Sequence, residues 1–542
     1  MDLSTGFAVI AFADQCTKYG TKLVKRCQAY RHAREETLDL LITIEHNWQK
    51  THAQIQVLRE VSESLPESYQ NYFSTQALIL SRLEGKLKTA TLTLDELLRS
   101  QRKSDDHSKL ALVDRIKAST KMGARSKTRY AFHQSSLQSI VDDLEKWQAR
   151  FDPSWMLILR MKGRPVEKVL AGSSGRATSH SIIATAKEVR EAIQPKIEDA
   201  PQESSWLDAT KFDVSSPVAS LPPLSMVQLK ATGDRVLVDK VHCLPMADPA
   251  RLTKDLCKLA HILTKVDPDS FGMLQCLGII KGEEAVEIEP GESKQIPAFS
   301  FAFKVPSDWE SPRSLRSILL EASPYPLNQR LALARSLAQS VLFLHSISFV
   351  HKNIRPDIVA VFRNSESNLG TPFLVGFERF RPEDGQTYMV GTGDFARNLY
   401  HHPSRQGILP EETYKMQHDI YSLGVLLLEI GLWTSLITSK NKRAQQPSRP
   451  QLLSPSEEPH ATRRALRNKE TLERLAADEL PILMGQKYSY VVLACLTCLD
   501  EEEDLGFGVM GNDSLPFLDQ DGLVIGSRFI EYVLDKFQEI SV

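Results

Sequence analysis

The sequence predicts a multidomain chain of two unlike parts, an all-α helical bundle followed by an α+β domain. Three observations carry that expectation. Apolar residues recur at alternating steps of three and four through most of 33–98, the period of helices with one buried stripe. From about residue 219 the pattern changes to short segments that alternate, such as Val236-Leu237-Val238-Asp239-Lys240. Strongly apolar helical segments then follow at 330–345 and 419–430.

Composition bounds the function classes. A chain of 542 residues accommodates two to four domains. With 42% hydrophobic and 25% charged residues it reads as globular protein. A net charge of −2 gives no global field toward nucleic acid or membrane. The seven cysteines are odd in number and irregularly spaced, which argues against a secreted disulfide scaffold. Cys495 and Cys498 form a lone C-x-x-C in an apolar stretch, so they read as buried thiols rather than half a zinc site. No apolar run approaches the roughly 20 residues of a membrane span. Gly6–Ala13 is apolar but lacks a basic flank, which makes a poor signal peptide. A cytoplasmic location is the expectation.

The first helix is expected over about 4–30, with Leu3, Phe7, Ile10, Tyr19, Leu23 and Cys27 near one face. A second covers 33–65 through Leu41, Ile44, Trp48, Thr51, Ile55, Leu58 and Leu65. A third covers 67–98 through Leu80, Leu83, Leu87, Ala90, Leu94 and Leu97. Pro66 between them marks a helix start, so the pair should run antiparallel. Residues 99–130 hold ten Lys or Arg against three Asp and read as a solvated basic loop. Without interleaved aromatics they do not predict nucleic-acid binding. A further helix is expected over 131–150 through Leu137, Ile140, Val141, Leu144 and Trp147, then a short apolar helix to Met161.

This part, about 1–165, resembles the fungal HeLo-like (prion-inhibition-and-propagation) domains. The resemblance rests on Gly6-Phe7-Ala8-Val9-Ile10, the Trp-containing second helix, and Leu144-Glu145-Lys146-Trp147-Gln148 leading to Phe151-Asp152-Pro153-Ser154-Trp155. It implies that the first helix inserts into membranes during cell death, with Phe7, Ile10 and Phe12 as membrane-active candidates. The same residues would serve equally well in a core. The neighbouring basic stretch would then meet anionic lipid.

Residues 166–218 read as a linker carrying one brace helix at 181–193. Beyond it, Val236, Val238 and Lys240 share one face of a strand, and a helix follows at 249–265 with Asp255 as its only central acid. Gly233 stands alone upstream, with no G-x-G-x-x-G. Phe299–Val305 reads as a strand, 314–319 as the start of a helical part and Arg330–His345 as a buried helix.

Four landmarks follow in order: His351-Lys352-Asn353-Ile354-Arg355-Pro356-Asp357-Ile358, Gly376-Phe377-Glu378, Asn398 to Pro403, and Asp419-Ile420-Tyr421-Ser422-Leu423-Gly424. Their order and spacing resemble a bilobal protein-kinase-like fold over about 219–542. The N-lobe would cover about 219–308 and the C-lobe about 309–542. A Pro/Ser-rich basic insertion at 440–470 is expected to be disordered.

The resemblance also implies roles. Lys240 would reach nucleotide phosphates, and Asp419 would anchor the backbone of the His351 loop. In kinases that loop reads H-R-D-L-x-x-x-N, with Asp as base and Asn as metal ligand. Here Lys352 replaces Arg, Asn353 the base and Ile358 the ligand, while Gly376 and Glu378 flank a retained Phe377. A neutral amide is a very poor base, and neither glycine nor isoleucine grips magnesium. Glu378 and Asp357 could supply metal ligands but read as solvated carboxylates. No cofactor and no metal are expected, except ATP held without magnesium. Three functional readings follow: a pseudokinase regulating the helical part in signalling or cell death, an atypical ATP-binding Ser/Thr kinase, and a non-enzymatic scaffold. The expected partners are a protein, a membrane surface met through the first helix with relocation from the cytoplasm, and a second copy of the chain.

Overall fold

Side-chain periodicity sets the N-terminal helices directly, and their placement in the computed structural model follows it. The structure describes residues 5–29, 35–64, 70–106, 135–145, 147, 156–160, 166, 168, 182–193, 205–213, 219–221, 224–241, 248–289, 292–310, 312–321, 323–364, 367–382, 391–437, 461–500 and 529–540. Two compact units divide the chain at 1–184 and 185–542.

In the first unit, α1 (Thr5–Ala29), α2 (Glu35–Ser64) and α3 (Gln70–Asp106) pack with α4 (135–145). Leu41, Ile44, Trp48, Thr51, Ile55 and Leu58 of α2 are all buried, as are Leu80, Leu83, Leu87, Ala90 and Leu94 of α3. Leu65 and the side chain of Leu97 lie outside the described residues. Leu137, Ile140, Val141 and Leu144 bury the inner face of α4, and Trp147 donates its indole N–H to the Ile79 carbonyl at 3.3 Å.

The face expected for α1 needs correction. Its buried stripe is Val9, Ala13, Cys16, Gly20, Leu23 and Cys27, again at steps of four and three. Phe7 is 60% exposed, Ile10, Phe12 and Tyr19 are half-buried, and Leu3 lies outside the described residues. The small residues won because α1 packs on both α2 and α3 and must approach them closely. Gly20 shows this: a Cβ there would lie 2.1 Å from the ring of Trp48. Helix α3 also runs on to Asp106, so the basic loop expected at 99–130 does not start at 99. Residues 107–130 lie outside the described residues. A 3-10 turn, Leu157–Arg160, stands where the short apolar helix was expected.

Helix α5 (Ile182–Ile193) takes the place of the brace helix. The linker expected over 166–218 is not a plain linker, because β1 (Trp206–Leu207) and β2 (Phe212–Asp213) already join a sheet. With β3 (Ala219–Leu221), β4 (Leu224–Leu229), β5 (Arg235–Val241), β6 (Cys276–Glu289) and β7 (Glu292–Lys304) they make a mixed seven-stranded sheet. The order is β1-β6-β7-β5-β4-β2, with β3 paired to β4 and only β1 to β6 parallel. Helix α6 (Pro249–Leu263) follows β5, started by Pro249 and capped by Asp248, whose Oδ1 accepts the Ala250 N–H at 3.0 Å.

One face of the sheet buries Phe212, Val227, Val236 and Ala302, with Val238 packed against them. The other carries Leu237, Asp239 and Val241 beside Phe303, Phe301 and Phe299, their direct partners on β7. A helical part follows: α7 (Leu315–Glu321), α8 (Leu327–Ser346), α9 (Met416–Leu432), α10 (Ala461–Asp478) and α11 (Gln486–Leu496). Every residue of α9 is buried, so its long apolar run is the centre of this part. Between α8 and α9, β9 (Phe349–Val350) pairs with β12 (Arg381–Pro382), while β10 (Val359–Asn364) lies between β8 (Arg313–Ser314) and β11 (Ser367–Leu374). The disorder expected over 440–470 is corrected for 461–470, which belong to α10, while 440–460 lie outside the described residues. Cys495 and Cys498 are buried free thiols, and burial pushes both thiol pKa values up.

Candidate functional site

The loop His351–Ile358 leaves β9 and is pinned by one carboxylate on the first turn of α9. Asp419 accepts the backbone N–H of His351 at 2.8 Å on Oδ2 and that of Lys352 at 2.9 Å on Oδ1. Tyr414 donates its hydroxyl to Oδ1 at 2.6 Å, and His345 Nε2 lies 3.2 Å from Oδ2. Burial alone would raise the Asp419 pKa, but the hydrogen bonds from His345 and Tyr414 and the nearby His351 hold it down to about 2. Lys352 takes a left-handed φ of 65° at this bend, where successive amides converge on Asp419.

The polar side chains of the loop are spent on holding it. Asn353 donates Nδ2–H to the Gly376 carbonyl at 3.2 Å, and its Oδ1 accepts from Arg355 Nε at 3.1 Å. His351 is fully buried, with Nε2 3.0 Å from the Val375 carbonyl and its ring 5.0 Å from that of Phe377. Burial lowers the His351 pKa to about 4, so the ring is neutral at pH 7 and the proton sits on Nε2, facing the carbonyl.

Ile358 and Gly376 meet directly. Gly376 has φ +82, and a Cβ added to it would lie 2.5 Å from Ile358 Cγ2. Hydrocarbon therefore fills the space beside the loop at 376. Phe377 is buried next to it, with ring centroids 5.6 Å from Phe301 and 6.1 Å from Phe303 under the sheet.

Lys240 is not part of this assembly. It shares a face with Val236 and Val238 as the alternation predicts, but that is the face away from the loop, and Lys240 is exposed. Its neighbour Asp239 points inward instead. Asp239 is fully buried, and Oδ2 accepts the N–H of Gly376 at 2.7 Å and of Phe377 at 2.9 Å. Desolvation outweighs these two bonds and lifts its pKa to about 7. Sequence reasoning missed Asp239 because period two was read for one face only. The signal was present: β5 is apolar on both faces, so its one inward acid had to find donors.

Glu378 and Asp357 also correct the expectation of solvated carboxylates. Glu378 is buried and pairs with Arg397 at 2.9 Å and Arg379 at 3.7 Å. Asp357 pairs with Arg355 at 3.4 Å and Arg316 at 3.5 Å. Arg316 is a second residue the sequence did not single out. It donates to Glu429 at 2.7 Å and to Tyr400, while Tyr400 donates to Glu429 at 2.7 Å. That buried triad ties α7 to α9 and to the segment closing before residue 403.

Chemically, these side chains hold the loop in place. The residue at 353 is an amide, the carboxylates beside it are already paired with cations, and the space at 358 and 376 is hydrocarbon. No protein-family model and no curated protein matches this chain.

Proposed function

We propose that the C-terminal unit is a protein-kinase-like module that does not transfer phosphate, a pseudokinase, and that it regulates the N-terminal helical unit as a two-state switch. The observation that carries this reading is the packing of Ile358 on Gly376. Both stand at positions where the kinase pattern grips magnesium, and phosphoryl transfer depends on that grip. A magnesium ion needs oxygen ligands and several retained waters, which this hydrocarbon contact excludes.

Two further features support it. Val236-Leu237-Val238-Asp239 fits the V-A-I-K pattern one residue earlier than Lys240 does, with the inward Asp239 in place of the phosphate-binding lysine. A buried acid there offers no cation to phosphates, and it also binds the strand to the loop at Gly376 and Phe377. The anchor Asp419 meanwhile keeps its bonds to the loop, so a frame persists without the reacting groups. The output falls to the helical unit, where α1 presents Phe7 to solvent and half-covers Ile10 and Phe12. Among the described residues no helix is long and apolar enough to cross a membrane, so contact with lipid would be made along a surface.

The test uses the full chain. Incubation with ATP and magnesium or manganese should give no phosphate transfer and no metal-dependent thermal shift. Anionic liposomes should bind the chain, and Phe7→Ser should weaken that binding. Metal-dependent transfer would replace the pseudokinase reading with the atypical kinase. Absence of any lipid response would remove the membrane output and leave a scaffold.

A further inference from the structure

The seven-stranded sheet is closed by one short segment that pairs with both of its edges. Trp206 and Leu207 of β1 lie parallel to Ile279 and Ile280 of β6, and the Ser205 carbonyl accepts the Ile279 N–H at 2.7 Å. Phe212 and Asp213 of β2 lie antiparallel to Leu229 and Gln228 of β4, and the Lys211 carbonyl accepts the Lys230 N–H at 2.9 Å. In the sheet order β1 and β2 stand at opposite ends. Laid flat, that path would separate them by about 24 Å, at roughly 4.8 Å per neighbouring pair. The chain from Leu207 to Phe212 reaches about 18 Å at most, and the 3-10 turn Ala209–Lys211 shortens it further. The sheet is therefore curled, and Ser205–Asp213 is a strap across its opening.

Beneath the strap lies an apolar groove with a backbone edge on either side. Phe212 is buried there with Val227, Val236 and Ala302, and Leu207 packs against that cluster beside Val238 and Ile280. Gly278 is fitted to the strap: a Cβ there would lie 2.7 Å from the Ser205 carbonyl oxygen and 2.8 Å from Leu207 Cγ. The hold is slight for the surface it covers. Each edge is met by two residue pairs, whereas β5 pairs with β4 over five residues and with β7 over six. Phe212 is buried, but Trp206 and Leu207 are half-buried and Asp208–Lys211 are exposed. Short pairings of this kind open at lower free energy than the central strands of the same sheet.

We propose that the strap is a cis-acting cover on a strand-addition site, and that an extended segment of a partner protein, apolar at the places of Leu207 and Phe212, takes its place. On release, the β6 edge at 279–280 and the β4 edge at 228–230 offer backbone donors and acceptors. The apolar floor then selects the incoming side chains, which is the division of labour in strand addition. The strap itself defines what fits: two apolar residues reach inward, with the exposed Asp208, Thr210 and Lys211 between them. A bare edge above an apolar floor pairs indiscriminately, so a cover in cis also guards against aggregation. This inference needs neither the kinase likeness nor the lipid output.

The experiment titrates a labelled synthetic peptide copying 205–213 against the full chain, read by fluorescence anisotropy. The cis strap leaves only a fraction of chains open, so weakening it raises the apparent affinity in proportion. Phe212→Ala in the chain should tighten peptide binding at least about tenfold over the parent. Leu207→Ala, a milder change at a half-buried side chain, should act in the same direction and carries this arm if Phe212→Ala unfolds the sheet. Asp213→Cys with Gln228→Cys joins direct cross-strand partners and ties the strap down when oxidised. Binding should vanish in that oxidised chain and return on reduction. A peptide carrying Leu207→Asp and Phe212→Asp should not bind. In the parent chain, the Ile279 and Lys230 amides should exchange hydrogen faster than those of β5 and β7. Equal peptide binding in the parent and the weakened chains, binding that survives in the oxidised chain, absence of binding to all of them, or amides at 279 and 230 as protected as the central strands would each overturn the proposal.

Discussion

The side chain of Ile358 occupies the space that a Cβ on Gly376 would need, with Cγ2 only 2.5 Å from that position. The two residues are therefore coupled, and Gly376 cannot gain a side chain without displacing that of Ile358. Gly376→Asp introduces both that clash and a side chain at φ +82. Each costs about 1–3 kcal/mol. Ile358→Asn in the same chain removes the nearest contact, that of Cγ2, so the clash is eased, while the Cβ of residue 358 still lies 2.6 Å from that position and the backbone strain stays. The double variant should accordingly be less destabilised than the sum of the singles, by about 1–2 kcal/mol. Urea unfolding of the four chains measures the coupling; simple additivity would mean that the contact is not the constraint described.

Asp239 predicts a pH signature. Its pKa is about 7 in the fold against an ordinary 3.8. Between those values the folded chain keeps a proton that the unfolded chain has released, so stability from this group is fully present below 3.8 and lost as pH rises through about 7. Asp239→Asn is neutral throughout and can still accept the Gly376 and Phe377 amides on its oxygen. Its melting temperature relative to the parent chain should therefore rise between pH 5 and pH 8. A difference that stays constant across that range would show that Asp239 does not titrate there.

Much of this was legible in the chain and some was not, for physical reasons. The stripes of α2 and α3 were readable because each helix buries one large-residue face. The stripe of α1 was misread because small residues carry it, and Ala13, Cys16 and Gly20 do not stand out by hydropathy although they permit close packing. In β5 the pairing of faces was read correctly, but alternation cannot say which face turns to the loop when both are apolar. That is why Lys240 was preferred to Asp239. The side chains at Asn353, Ile358 and Gly376 could be read as non-acidic from the chain alone, whereas the mutual fit of Ile358 and Gly376 emerges only in the fold.

Asp419 and Lys240 make opposite predictions about the same unit. Asp419→Ala leaves the amides of His351 and Lys352 and the hydroxyl of Tyr414 without their buried acceptor. The expected cost is about 3–5 kcal/mol, with Asp419→Asn smaller because it keeps one oxygen. Lys240→Ala removes an exposed cation and should change stability by less than about 0.5 kcal/mol. Chemical denaturation distinguishes them, and a Lys240 effect as large as that of Asp419 would contradict the outward placement of Lys240.

Gly20 in α1 offers a test in which the sign of an effect changes. In an ordinary helix interior, glycine to alanine gains about 0.5–1 kcal/mol from the reduced entropy of the unfolded chain. Here the new methyl would stand 2.1 Å from the Trp48 ring, and overpacking of that kind costs about 1–3 kcal/mol. Gly20→Ala should therefore destabilise the helical unit. Trp48→Ala alone should cost about 3–5 kcal/mol through the cavity it opens between α1 and α2. With that ring gone, the methyl of Gly20→Ala has space, and the propensity gain should reappear as stabilisation relative to Trp48→Ala. Amide hydrogen exchange over 5–29 in the full chain reports on this unit directly, with faster exchange expected for Gly20→Ala and slower exchange for the double variant than for Trp48→Ala. The same sign for Gly20→Ala in both backgrounds would mean that Trp48 is not what holds position 20 to glycine.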